Sequence, residues 1–175
     1  MNRTIKSNKL NVALTAAMVL VSAGFAIAGH AATDTSNLAV NATILDACTI
    51  VTTGVNFGNY DHNASSDKGA TGSVTETCTN GTAAKITLGQ GLWPTATSVD
   101  GVPERQMASG TNRMAYFLYS DEGAGTLWGN TPATGVSQTG TGFEGEAITV
   151  YGFITAGQNV PVGSYADTVV ATVTF

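Results

Sequence analysis

Few side chains in this sequence could do chemistry, and they stand apart. His62 is the only histidine beyond residue 31, beside Asp61 in a polar stretch. Such a pair needs a nucleophile or an orienting third group brought to it by the fold, and a solvated turn is the plainer reading. Cys48 and Cys78 are the only cysteines, and no His/Cys/Asp/Glu cluster has zinc spacing. The carboxylates are scattered, so no pair is marked out for acid–base work. Gly140-Thr141-Gly142-Phe143-Glu144-Gly145 matches GxGxxG. That loop cradles phosphate where it leads into a helix, and here a strand-like run follows. Asn41-Ala42-Thr43, Asn63-Ala64-Ser65 and Asn80-Gly81-Thr82 have the form of glycosylation acceptors, which a chain rich in Asn and Thr produces by chance. The expectation is a protein that is not an enzyme, with no cofactor, metal or small-molecule substrate.

What would position these residues is a domain built for export. Arg3, Lys6 and Lys9 precede a mostly apolar run, Leu10–Ala28, and small residues follow it. This has the form of a cleaved secretory leader, expected over residues 1–31; the alternative is a membrane anchor, for which the run is near the minimum length. Without the leader, Lys68, Lys85, Arg105 and Arg113 face all twelve acids, a net charge of 4 − 12 = −8. No basic patch remains, so nucleic acid and anionic membranes are poor partners. An even cysteine count behind a leader reads as one disulfide, Cys48–Cys78. Charged residues make up 11% of the 175, against about 25% in ordinary domains, and 43% are hydrophobic. That balance suits an all-β domain with many short loops.

Strand signals recur along the chain. Leu38, Val40, Ala42 and Ile44 share one parity, with Ala39, Asn41 and Thr43 on the other. No hairpin turn joins this run to the next. Cys48–Thr53 reads as a short extended piece and Ser73–Thr79 as a strand, although Glu76 shares the apolar parity of Val74 and Cys78. Asn80-Gly81 is a two-residue turn signal, with Ala83–Leu88 as the returning strand. Arg113–Ser120 is apolar on both parities, as a central strand would be. Near the end, Ile148, Val150 and Ile154 form one face of a strand. After a loop, Val169, Ala171, Val173 and Phe175 form one face of another. This last run is expected to end inside the core, at Phe175, and it leaves an open edge unless something covers it. About seven short strands and no helix argue a β-sandwich.

Several segments, in order, resemble the spore coat protein U domain of archaic chaperone–usher (Csu-type) pilus subunits. They are Cys48, Phe57-Gly58-Asn59-Tyr60, Val74–Cys78, Arg105-Gln106-Met107, Tyr116–Asp121, Trp128-Gly129, Val150-Tyr151-Gly152, Ala156-Gly157-Gln158, Val160–Tyr165 and Asp167–Phe175. The resemblance implies an immunoglobulin-like sandwich lacking its last strand, completed by a donor strand from a chaperone or another subunit. It implies an N-terminal donor extension over 32–46 and a pilin domain over 47–175. Leu38, Val40, Ala42 and Ile44 would then be plugs. Val169, Ala171, Val173 and Phe175 would line the acceptor groove, with the Phe175 carboxylate held by the chaperone. Cys48–Cys78 would staple the first two strands. The partners implied are a periplasmic chaperone, an outer-membrane usher and further copies of the chain, in a cell-surface pilus supporting adhesion and biofilm. A single domain with an extension fits a stalk subunit, the major one. Two alternatives stand beside it. One is a monomeric secreted binding module presenting Trp93, Trp128 and Tyr119 to sugars or surfaces. The other is a protective spore or cyst coat protein.

Overall fold

The computed structural model describes Gly29 and residues 31–175, so almost all of the expected leader lies outside the described residues. The chain divides into a unit ending at Asn41 and a unit Ala42–Phe175. In the first, the described residues are exposed and form no strand. The run Leu38–Ile44 spans the boundary and is likewise exposed and outside any sheet. Its alternation makes it ready for a ladder, but a strand exists only where a partner supplies one.

The second unit is all-β. Its strands are β1 (Cys48–Thr53), β2 (Lys68–Cys78), β3 (Ala83–Leu88), β4 (Arg105–Ser109), β5 (Asn112–Tyr119), β6 (Val136–Thr139), β7 (Glu146–Ile154) and β8 (Ala171–Thr174). Two sheets form, ordered β1-β2-β7-β5-β4 and β6-β3-β8, with every pairing antiparallel. Both bury one face, as a two-layer sandwich requires. The core includes Val74, Ile86, Leu88, Leu118, Trp128 and Ile154. Trp128 is 0% exposed and donates its indole N–H to the Ile86 carbonyl (3.0 Å), which ties the loop after β5 to the second sheet.

Arg113–Ser120 is central as expected, with β5 between β7 and β4. Two expectations change. Ala83–Leu88 is not the returning strand of a hairpin: β3 pairs with β6 and β8, in the other sheet. The reason lies in the turn's own donors. Thr79 N–H is taken by the Ala47 carbonyl (2.9 Å) and Gly81 N–H by the Gly140 carbonyl (2.9 Å), so the chain crosses between sheets. Gly81 meets this with φ = 87°, a left-handed conformation that glycine adopts freely. The C-terminus also ends differently. The inner face of β8 enters the core, but Phe175 itself is 57% exposed.

The disulfide forms as expected and staples β1 to β2, where Cys48 and Cys78 are direct cross-strand partners with Cα atoms 4.1 Å apart. Closing a loop of sequence separation 30 restricts the unfolded chain by roughly 3.5 kcal/mol in the entropy model.

Candidate functional site

A sandwich of two open sheets has four edges. The free side of β4 is covered where Ala108 and Ala166 exchange backbone bonds (2.9 and 3.1 Å). β6 is a free edge whose four residues lie away from the cleft between the other two edges. The remaining edges, β1 and β8, bound a cleft of about 310 Å³. Its floor is core: Val74, Leu88, Met107, Tyr116, Leu118 and Val150 all line it. One wall is Thr52–Val55 with Phe57. The other includes Tyr165, Val169 and Ala171.

Register shows what the two edges offer. Gly89 N–H donates to the Val170 carbonyl (2.8 Å), so Thr172 and Thr174, at the same parity, turn their backbone groups toward β3. Ala171 and Val173 turn theirs away from it. On β1 the Thr79–Ala47 bond sets Thr49, Val51 and Thr53 toward β2, leaving Cys48, Ile50 and Thr52 facing outward. Both edges therefore present unpaired N–H and C=O groups beside inward apolar side chains. They also run antiparallel. The start of β1 and the end of β8 both lie at the β2–β3 crossing, because Cys48 opposes Cys78 and Lys85 opposes Thr174. A strand laid between them would be antiparallel to one and parallel to the other.

Polar anchors line the β8 end of the cleft. Asp167 Oδ1 accepts from Leu92 N–H (2.8 Å) and Thr168 N–H (2.8 Å), and its Oδ2 from the Tyr116 hydroxyl (2.6 Å). Burial first, then the bond to Asp167, raises the Tyr116 pKa, so the phenol stays a donor. Arg105 is 1% exposed. Its Nε donates to the Gly89 carbonyl (2.8 Å) and its Nη2 to those of Leu88 (2.9 Å) and Trp128 (2.7 Å). Burial brings its pKa down to about 10, with Tyr116 and Asp167 opposing the fall; it remains a cation at neutral pH. On the far side, Val55 and Phe57 lie over Gly152, where a Cβ would come within 2.7 Å of Val55 Cγ1 and 2.8 Å of Phe57 Cζ. A second cleft, about 810 Å³, continues from the first and shares Val55, Phe57, Met107 and Tyr165 with it.

The residues singled out in the sequence fall as follows. Val169 and Ala171 line the cleft. Val173 packs against the core further along β8, and Phe175 lies beyond the strand. Leu38 (87%), Val40 (83%) and Ile44 (83%) are exposed, as is Ala42. His62 sits on the rim of the second cleft, and Asp61 is engaged in its own turn, accepting from Asn63 N–H (2.9 Å). The glycine-rich loop is a crossing point, with Gly140 bonded to Thr82 and Gly81. Trp93, Trp128 and Tyr119 do not share a surface. Trp128 is core, Trp93 lies under the Arg113 guanidinium (4.3 Å), and Tyr119 packs against Phe117 and Phe153. Arg105 and Asp167 were visible only as letters within longer matching segments. Their roles depend on carbonyls and a phenol distant in sequence, which no local pattern marks.

A family model for the Spore Coat Protein U domain matches residues 34–172. Protein U of Myxococcus xanthus is 44% identical over 174 residues, 93% of this chain and 95% of that protein. Among solved structures, the chaperone–tip adhesion subunit pre-assembly complex CsuC–CsuE, from archaic chaperone–usher Csu pili of Acinetobacter baumannii, contains a similar chain. The TM-score is 0.53 at 22% identity, over 76% of this chain and 40% of that chain. At that identity the likeness is one of fold, and it agrees with the immunoglobulin-like sandwich. The family match extends over most of the chain, from the exposed N-terminal run through the two sheets, and the chain therefore belongs to the Spore Coat Protein U domain family.

Proposed function

We propose that this protein is a structural subunit of a chaperone–usher surface fibre, and that it polymerises by strand exchange. The observation that carries the reading is the pair of opposed free edges, β1 and β8, over an apolar cleft. The occupant is the run Leu38–Ile44 of another copy, whose alternating side chains are exposed. Seven extended residues span roughly 23 Å, the same length of strand as Val169–Phe175. Leu38, Val40, Ala42 and Ile44 enter as plugs, while the backbone completes the ladder that Ala171, Val173, Ile50 and Thr52 leave unpaired. Each of the larger plugs contributes about 1.5–3 kcal/mol by burial, offset by about 0.5–1.5 kcal/mol of ordering per side chain.

Before assembly a periplasmic chaperone lends the missing strand and holds the Phe175 carboxylate with basic residues; an outer-membrane usher then exchanges it for the next subunit's extension. Similarity to a chain in a chaperone–subunit complex supports the chaperone partner. A plug-bearing run ahead of a sandwich with an open cleft supports a stalk role, the major one, in a fibre outside the cell that serves adhesion and biofilm. The family's description as a spore coat domain favours a second setting for the same assembly, a protective coat. Immunogold labelling separates them, as extended fibres or as a layer on resting cells.

The test is thermal unfolding of the core Leu45–Phe175, disulfide oxidised, with and without a peptide of residues 33–46. A sharp rise in Tm with the peptide, lost when Val40 and Ile44 of the peptide are replaced by Asp, supports the groove. A core that is stable alone and ignores the peptide is complete in itself, and the monomeric binding module then takes precedence.

A further inference from the structure

The inward face of β2 carries one residue that no part of strand addition uses. Glu76 shares that face with Val74 and Cys78 and is 1% exposed. Its Oε2 finds no hydrogen-bond partner among the described residues. A buried acceptor left unpaired costs about 1–3 kcal/mol, so its presence calls for a reason. Its surroundings supply one. A carboxylate oxygen of Glu76 and the sulfurs of Cys48 and Cys78 all lie within 4.8 Å of one another. A disulfide has no proton to donate, whereas a reduced cysteine carries an S–H, a donor. At that separation a side-chain rotation brings the carboxylate to the S–H of a reduced cysteine, whereas in the oxidised protein its Oε2 is orphaned.

We propose that Glu76 is the acid–base group for closing and opening the Cys48–Cys78 disulfide in the folded domain. In closure, the oxidant is an external disulfide, either a small molecule or a protein dithiol in its oxidised form. Cys48, the more exposed of the two residues, forms a mixed disulfide with it, and one half of the oxidant leaves as a thiol. Cys78 S–H then gives its proton to the Glu76 carboxylate, and Cys78 Sγ attacks Cys48 Sγ. The Cys48–Cys78 bond forms, the mixed disulfide breaks, and the second half of the oxidant departs as a thiolate. Opening runs in reverse: an external thiolate attacks Cys48 Sγ, and Cys78 departs with the proton of the Glu76 carboxylic acid. The rest of the surroundings is nearly free of charge. Across on β7, the charge of Glu146 raises the Glu76 pKa further after burial has done so. Ile50 is the β1 partner, and the inward residues of β3 (Ala84, Ile86, Leu88) and β8 (Ala171, Val173) are all apolar. This inference does not rest on fibre assembly.

The experiment follows reduction of the oxidised full-length protein by dithiothreitol across pH, trapping thiols by alkylation and expressing the rate per dithiothreitol thiolate. In the wild type that rate should fall as pH rises and the Glu76 proton is lost. Glu76→Gln should flatten the profile and slow the acid-side rate by about tenfold or more, and Glu76→Asp should restore the bend. Glu146→Gln removes a like charge and should move the bend to lower pH, a result that a merely structural role would not produce. It also keeps the test decisive if Glu76→Gln fails to fold. The proposal is overturned by an unchanged profile in Glu76→Gln, by a bend that Glu146→Gln leaves in place, or by rates that climb steeply with sub-denaturing urea, which would place the exchange in unfolded chains.

Discussion

At the scale of the residue, the two buried charges are handled differently. Arg105 is 1% exposed; three backbone carbonyls receive its Nε and Nη2 protons, and Nη1 alone lacks a partner among the described residues, so the cation serves as a clasp between the end of β3, the Trp128 loop and β4. Glu76 is equally buried with an orphaned oxygen, and its cost should depend on pH. Burial, then the charge of Glu146, raises its folded pKa above the ordinary 4.5. Between that ordinary value and the raised one, the folded protein holds a proton that the unfolded chain has released. Stability therefore falls as pH rises through this window, and the penalty is complete above the folded pKa. Urea unfolding of the oxidised wild type and Glu76→Gln at a series of pH values checks this. Glu76→Gln should be the more stable at neutral pH, and its advantage should shrink as the carboxyl is protonated.

At the scale of the element, β8 divides its work by parity. Thr172 bonds toward β3, and Ala171 toward the cleft. Proline removes one N–H and is tolerated where that N–H faces away from the sheet. Ala171→Pro should leave the thermal stability of the chain close to wild type and abolish the stabilisation by peptide 33–46. Thr172→Pro breaks a bond to β3 and should lower Tm whether or not peptide is present. Equal behaviour of the two variants would mean that the edge facing the cleft is not the one that pairs. The covering segment Val55–Phe57 holds its place because Gly152 beneath it leaves room that a Cβ would fill.

At the scale of the whole molecule, donor and acceptor surfaces are separate, so they can be disabled separately. A chain with Val40→Asp and Ile44→Asp keeps its cleft and loses its plugs; a chain with Ala171→Pro keeps its plugs and loses its cleft. Each alone should remain monomeric by light scattering after size exclusion, where the wild type forms a ladder of species. Mixed during refolding, they should give a dimer and nothing longer, since the dimer's remaining cleft and plugs are the disabled ones. Longer species from either variant alone would assign assembly to a different surface. A net charge of −8 over residues 32–175, with Arg105 sequestered in the core, leaves apolar burial and backbone pairing to carry this contact.

Local pattern was enough to indicate the fold class: period-two alternation and sparse charge lead to a β-sandwich, and the two cysteines to its one disulfide. It also marked Leu38, Val40, Ala42 and Ile44 as a run without a partner, and Glu76 as an acid on the wrong face. Alternation reports which face a side chain takes, but not which strand lies alongside, because pairing is a contact between residues far apart in sequence. Hence the Asn80-Gly81 turn suggested a hairpin that the structure replaces with a crossing between sheets. The short strands β4 and β6, with five and four residues, carry too little alternation to stand out from the loops around them. Only the folded sheets decide that β1 and β8 are the edges left facing a cleft, that Arg105 lies within reach of three carbonyls, and that Glu76 stands beside the disulfide. Each depends on register across strands, which no single stretch of the chain contains.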